Sequence, residues 1–153
     1  MKKINHLFLF VLIILSTFSY SCSNKEDTLV PAATKTENIT RSPWRFQSAT
    51  ASGFDVSTRP ELACFVDNVI TFSTNLGFTI SEGTTICSPS TAGSFTWSFQ
   101  SGETQLVLSA PLLPGSSSTF TLVSLNETNL VVSQNASIPA GSPAVLVVIT
   151  FKH

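Results

Sequence analysis

Ser94-Phe95-Thr96-Trp97-Ser98-Phe99-Gln100 alternates polar and aromatic residues without a break. Successive side chains of a strand point to opposite faces, so Phe95, Trp97 and Phe99 share one face and Ser94, Thr96, Ser98 and Gln100 the other. One face is apolar and the other wet, the pattern of a half-buried antiparallel strand.

The same reading extends in both directions. Upstream, residues 68–74 place Ile70 and Phe72 together, Asn75-Leu76-Gly77 supplies a turn, and Phe78 and Ile80 return on the next strand. Downstream, a Ser101-Gly102 turn leads into residues 104–109, which carry Leu106 and Leu108. Trp44 alternates with Phe46 in residues 44–50, and residues 119–125 (with Phe120), 129–133 and 144–151 complete a set of eight strands. The last is apolar on both faces around residues 145–149, so it is expected to be covered on both sides or centrally paired. No heptad, no useful helical periodicity and no internal repeat interrupts the pattern. The expected fold class is all-β, an antiparallel domain of eight strands. Residues 51–62, 87–93 and 109–118 stand out as long connections, functional or mobile.

This all-β domain occupies residues 42–153 of a chain of 153. Ahead of it, Lys2 and Lys3 precede an apolar run over residues 7–15 and a small-residue segment ending at Ser21, the form of a secretory signal over residues 1–21. That run is far short of the ~20 residues that span a bilayer as a helix. Ser19-Tyr20-Ser21-Cys22 resembles a bacterial lipobox, with Ser19 where Leu is most common. The resemblance implies that Cys22 carries the acyl chains, the anchor to the membrane. Ser23-Asn24-Lys25-Glu26-Asp27 resembles the export signal of surface-exposed lipoproteins in Bacteroidota, which implies an outer-membrane protein displayed at the cell surface rather than facing the periplasm. Residues 22–41, with Pro31 and little periodicity, read as a flexible tether.

A mean hydropathy of +0.30 is partly the signal's contribution. The whole chain has a formal charge of −1, and removing Lys2 and Lys3 from 8 basic residues leaves 6 against 9 acids, a charge of −3. That balance excludes a basic nucleic-acid binder, and the abundance of apolar residues excludes an acidic disordered chain.

With Cys22 assigned to the anchor, Cys64 and Cys87 are left, and an even pair in an exported chain reads as a disulfide. No His lies near either, so they make a poor metal pair. His6 lies in the signal, which leaves His153 as the only histidine for a triad or a zinc site. Carboxylates such as Asp67 and Glu82 lie near turns, where acids are usually solvated. No phosphate-cradling loop is visible, so neither an enzyme nor a cofactor is expected.

Trp44, the Cys64 segment with Asp67-Asn68, the Phe72 strand, the Gly77 turn, Cys87, residues 93–97, Leu106 and residues 125–130 together resemble the lipocalin-like domains of Bacteroidota lipoproteins. Ser42-Pro43-Trp44 stands where lipocalins proper carry Gly-X-Trp. The resemblance implies an eight-stranded antiparallel up-and-down barrel, and a lumen of that size is one that side chains just fill or that holds one small ligand. Trp44, Phe72, Phe78, Phe95, Trp97, Phe99 and Phe120 are the candidate core or pocket, and their bulk favours a filled interior. Binding of a small apolar ligand is the leading expected function; the alternative is a non-enzymatic interaction module, an accessory to an outer-membrane complex or an inhibitor, presenting loops such as residues 51–62 to a protein partner.

Overall fold

A row of strands with one apolar face can hide that face by curling until its two edges meet, which also removes the edges. The computed structural model of the chain, which describes residues 31–41, 43–113 and 116–153, does so. Residues 1–30, with the segment read as a signal peptide, Cys22 and the first part of the expected tether, lie outside the described residues. Residues Ala32–His153 make up one unit.

Its elements are α1 (Lys35–Ile39), β1 (Trp44–Ala51), β2 (Phe54–Asp55), a 3₁₀ turn (Pro60–Leu62), β3 (Val69–Phe72), β4 (Gly77–Ser81), β5 (Gly93–Gln100), β6 (Gln105–Leu108), β7 (Thr119–Leu125), β8 (Asn129–Ala136) and β9 (Val145–Lys152). From β3 to β9 each strand pairs antiparallel with the next, and β1 closes the barrel between β3 and β9. Eight strands form the closed barrel, and β2 lies outside it. β9 is paired along both edges, with β1 and β8, which places it centrally as its two apolar faces imply.

Register carries the apolar face around the barrel. Phe72 stands opposite Phe78, Phe78 opposite Phe95, Trp97 opposite Leu108, Leu106 opposite Phe120, and Val132 opposite Ile149. Paired residues point to the same side, so each match keeps the inner face continuous. β1 and β7 each shift register once, between Phe46 and Ser48 and between Leu122 and Ser124. A bulge of this kind bends its strand and sharpens the twist, which helps a small barrel close.

Consecutive strands run in opposite directions, so the connections collect at two ends. At the turn end lie the short β3–β4, β5–β6 and β7–β8 turns. The long connections, residues 52–68, 82–92, 109–118 and 137–144, all emerge at the other end, the loop end.

α1 docks at the turn end, within the stretch read as tether. Thr34 caps it, accepting the Glu37 N–H at 3.1 Å while its own N–H reaches the Glu37 carboxylate at 2.7 Å. This reciprocal Thr-x-x-Glu box satisfies two backbone donors that a short helix would otherwise leave open. Ile39 is fully buried, and its carbonyl accepts the Trp44 indole N–H at 2.8 Å. Lys35 and Arg41 reach Glu103 and Glu127 across the turns of the barrel. The His153 ring lies 3.8 Å from that of Trp44.

Candidate functional site

The connection over residues 52–68 follows no period of two, yet it is built in detail. Ser52 and Gly53 carry φ of 49° and 84°, the left-handed pair that a tight hairpin requires, and β2 returns beside the end of β1. β3 pairs with β1 only at Trp44 and Arg45, which leaves the rest of that edge open. Residues after β2 cover it: the Val56 N–H donates to the Ala49 carbonyl at 2.9 Å, and the Ala49 N–H donates to the Ser57 hydroxyl at 2.9 Å.

Beyond the 3₁₀ turn the chain dips into the barrel. Leu62 and Phe65 are buried, and Phe65 is 1% exposed. Its ring meets Phe46 edge-on at 5.5 Å and Phe151 at 5.9 Å. Leu112 and Leu113 descend from residues 109–118 to join the same core. Of the seven aromatics expected in the core or pocket, Trp44, Phe72, Phe78, Trp97 and Phe120 are buried, and Phe95 and Phe99 pack half-buried against them. Phe72 touches both Phe78 (5.6 Å) and Trp97 (5.7 Å), and Trp97 touches Phe99 (5.3 Å). Side chains from the strands and from the loops together pack the interior.

Two devices hold the loops in place. The first is the Cys64–Cys87 disulfide, with its Cα atoms 5.0 Å apart, which fastens residues 52–68 to residues 82–92. The second is a set of carboxylates. Asp67 accepts the Thr84 N–H at 2.7 Å, the Thr84 hydroxyl at 2.9 Å and the Thr85 N–H at 3.2 Å. Glu82 accepts the Thr91 N–H at 2.7 Å and the Ser90 hydroxyl at 2.9 Å. Asp67 approaches the backbone so closely that a Cβ on Gly83 would lie 2.8 Å from its own Cβ, so only glycine fits there. Asp67 and Glu82 therefore act as staples of one loop.

Those hydrogen bonds favour the charged forms. The Thr84 hydroxyl, followed by the Thr85 N–H, holds Asp67 below its ordinary pKa, and the Thr91 N–H does the same for Glu82. Carboxylates depressed on folding stabilise the fold fully above the ordinary carboxylate pKa of about 4, and that contribution is lost as pH falls through the lowered values. Lowering the pH from 7 to 3 is expected to reduce the thermal midpoint, and Asp67→Asn should reduce the size of that drop. Calorimetry on the two proteins across this range checks both.

Between the loops lies a cleft of about 220 Å³. Leu62, Leu113, Ala136, Ile138 and Ala140 give it apolar walls. Ser88, Ser116 and Ser137 contribute hydroxyls, Cys64 brings the disulfide to one side, and Glu61 supplies a carboxylate. None of the seven core aromatics lines it. Two residues before Ala136, on the same face of β8, Gln134 is only 6% exposed, and neither atom of its amide has a hydrogen-bond partner among the described residues. A buried donor and acceptor without partners thus sits about 7 Å along the strand from the cleft wall.

Large apolar side chains are exposed around the same end. Phe54 is 76% and Ile86 63% exposed, and Val66 and Leu146 are open as well. Val66 and Ile86 are neighbours in space, because Cys64 is bonded to Cys87 and Asp67 to Thr85. Local pattern could not have revealed the cleft, since its lining comes from four connections far apart in sequence. Compared with models of known families and with curated proteins, the chain matches none.

Proposed function

We propose that this chain is a lipoprotein of the outer membrane, anchored by acyl chains on Cys22 and displayed at the cell surface, whose lipocalin-like barrel is a non-enzymatic module that binds a protein partner through its loop end. The observation that supports this best is the division of the molecule: packed side chains occupy the interior, while the cleft and four of the six exposed large apolar residues among those described, Phe54, Val66, Ile86 and Leu146, gather at one end. A small apolar ligand is the second reading, favoured by the cleft walls at Leu62, Leu113 and Ile138.

The described chain enters the barrel through α1 at the turn end, the end opposite the loops.

Two measurements test this. Cys22→Ala is expected to lose fatty-acid labelling and to leave the membrane fraction; a variant that stays with the membranes removes the anchor. A photo-crosslinking amino acid placed at Ile86 in intact cells is expected to give one discrete adduct, and the same residue placed at Leu76, on the turn end, none. Adducts from Leu76 alone, or from neither position, would overturn the loop-end reading.

A further inference from the structure

We propose that the loop-end cleft receives a basic side chain, arginine or lysine, from the protein partner, with Glu61 as its counter-ion. This rests on the loop-end interaction reading and names the chemistry the partner must bring.

The case begins with the carboxylates. Asp55 accepts the Ser57 N–H at 2.8 Å, and Asp67 and Glu82 are occupied by the N–H and hydroxyl groups described above. Glu61 alone among the loop-end acids has neither a hydrogen bond nor an ion pair among the described residues. It is exposed at the tip of the 3₁₀ turn and lines the cleft. Three carboxylates are used internally, and the fourth is left for something outside the fold.

The rest of the cleft suits a long cationic side chain. Arginine and lysine bury an aliphatic stem while keeping the charged head near water, and Leu113 and Ile138 offer that stem an apolar wall. The hydroxyls of Ser88 and Ser137 add acceptors for N–H donors that a single carboxylate leaves unused. Charge at longer range agrees: the four loop-end connections carry four carboxylates and one cation, Arg59, which forms no ion pair with Glu61. The turn end instead carries Lys35, Arg41, Arg45 and Lys152 against Glu37, Glu103 and Glu127. A field of one sign at one end steers a partner of the opposite sign towards it.

A protein is favoured over a free amine by what flanks the cleft. Val66 and Ile86, both exposed, lie within two residues along the chain of the Cys64–Cys87 bridge, of which Cys64 lines the cleft. A free amine would leave them in water. A partner's backbone and apolar residues beside its basic side chain would cover them, an anchor in a pocket with an apolar surround.

The test uses the full mature chain, labelled with ¹⁵N, titrated with an acetylated, amidated peptide holding one arginine between leucines. The control replaces arginine by citrulline, equal in shape and uncharged. The arginine peptide is expected to move the amide signals of Leu62, Cys64, Ser88 and Ile138 saturably. Binding should weaken about tenfold with the citrulline peptide and with Glu61→Gln, and fall as salt rises. Glu61 is exposed, so the variant should unfold within about 1 °C of the parent, consistent with the small effects of surface substitutions. Equal binding of the two peptides, or unmoved cleft amides, overturns the basic side chain. If the Ile86 adduct persists in that case, the loop-end reading stands without it; if the adduct is also missing, both fail.

Discussion

Replacing Phe65 with alanine is expected to lower the unfolding free energy by about 3–5 kcal/mol, at the upper end of core truncations. The ring comes from a connection rather than a strand, yet it is among the most deeply buried in the chain, wedged between Phe46 of β1 and Phe151 of β9. Those strands form the seam that closes the barrel, and β3 does not reach β1 beyond Arg45. A cavity at Phe65 therefore opens beside the least-paired part of the sheet, where backbone collapse to refill it is opposed by the disulfide at the adjacent Cys64. For a domain of this size the loss corresponds to a thermal midpoint lower by roughly 10–20 °C. Phe54→Ala, at a ring 76% exposed in the same connection, should change stability by less than about 0.5 kcal/mol. Circular dichroism melts of the two variants separate a structural plug from an ordinary loop phenylalanine.

The second large effect is expected from Cys64→Ala combined with Cys87→Ala. Cross-linking two positions 23 residues apart removes loop-closure freedom from the unfolded chain, which contributes roughly 3 kcal/mol in the chain-entropy account. Here the bridge also holds the two connections that bear Phe65, the Asp67 staple and one wall of the cleft. The loss should be local before it is global. Amide exchange at Thr84, Thr85 and Thr91 is expected to accelerate well before that of β8 and β9, whose pairing on both edges does not depend on the bridge. Because Phe65 adjoins Cys64, combining this change with Phe65→Ala should depart from additivity, while combining it with a change at Leu130 should not.

The strands were legible because alternation is a local signal. Phe95, Trp97 and Phe99 declare a buried face within seven residues, but one-sided strands suit a sandwich as well as a barrel, and the barrel was implied by the family resemblance. The disulfide followed from counting cysteines in a chain read as exported. The turns were legible in position but not in detail: Asn75-Leu76-Gly77 does reverse the chain, yet the left-handed residue is Leu76, at φ 65°, and Gly77 begins β4.

What escaped the sequence is the material without a period. Residues 52–68 hold single apolar residues, Val56, Leu62 and Phe65, separated by polar ones, and their inward direction is decided by contacts with β1 and β9 formed only in the closed barrel. The Ser52-Gly53 dipeptide was a turn signal that could have exposed the hairpin to β2. Thr34-Lys35-Thr36-Glu37 likewise has the spacing of a capping box, hidden because α1 offers only Ile39 as an apolar anchor and a single residue makes no helical stripe. The seven aromatics were chosen as core or pocket together; the packing buries or half-buries all of them, and the cleft is built from residues with no aromatic among them.

The account depends most on where space exists in the barrel. Xenon enters dry apolar cavities and marks them in diffraction. Crystals of the mature chain pressurised with xenon should show no atom enclosed by Phe72, Phe78, Trp97 and Phe120, with any bound xenon confined to the loop-end cleft beside Leu62 and Ile138. A xenon atom ordered among those four rings would mean that the lumen holds a pocket of its own, and the case for function at the loop end would lose its basis.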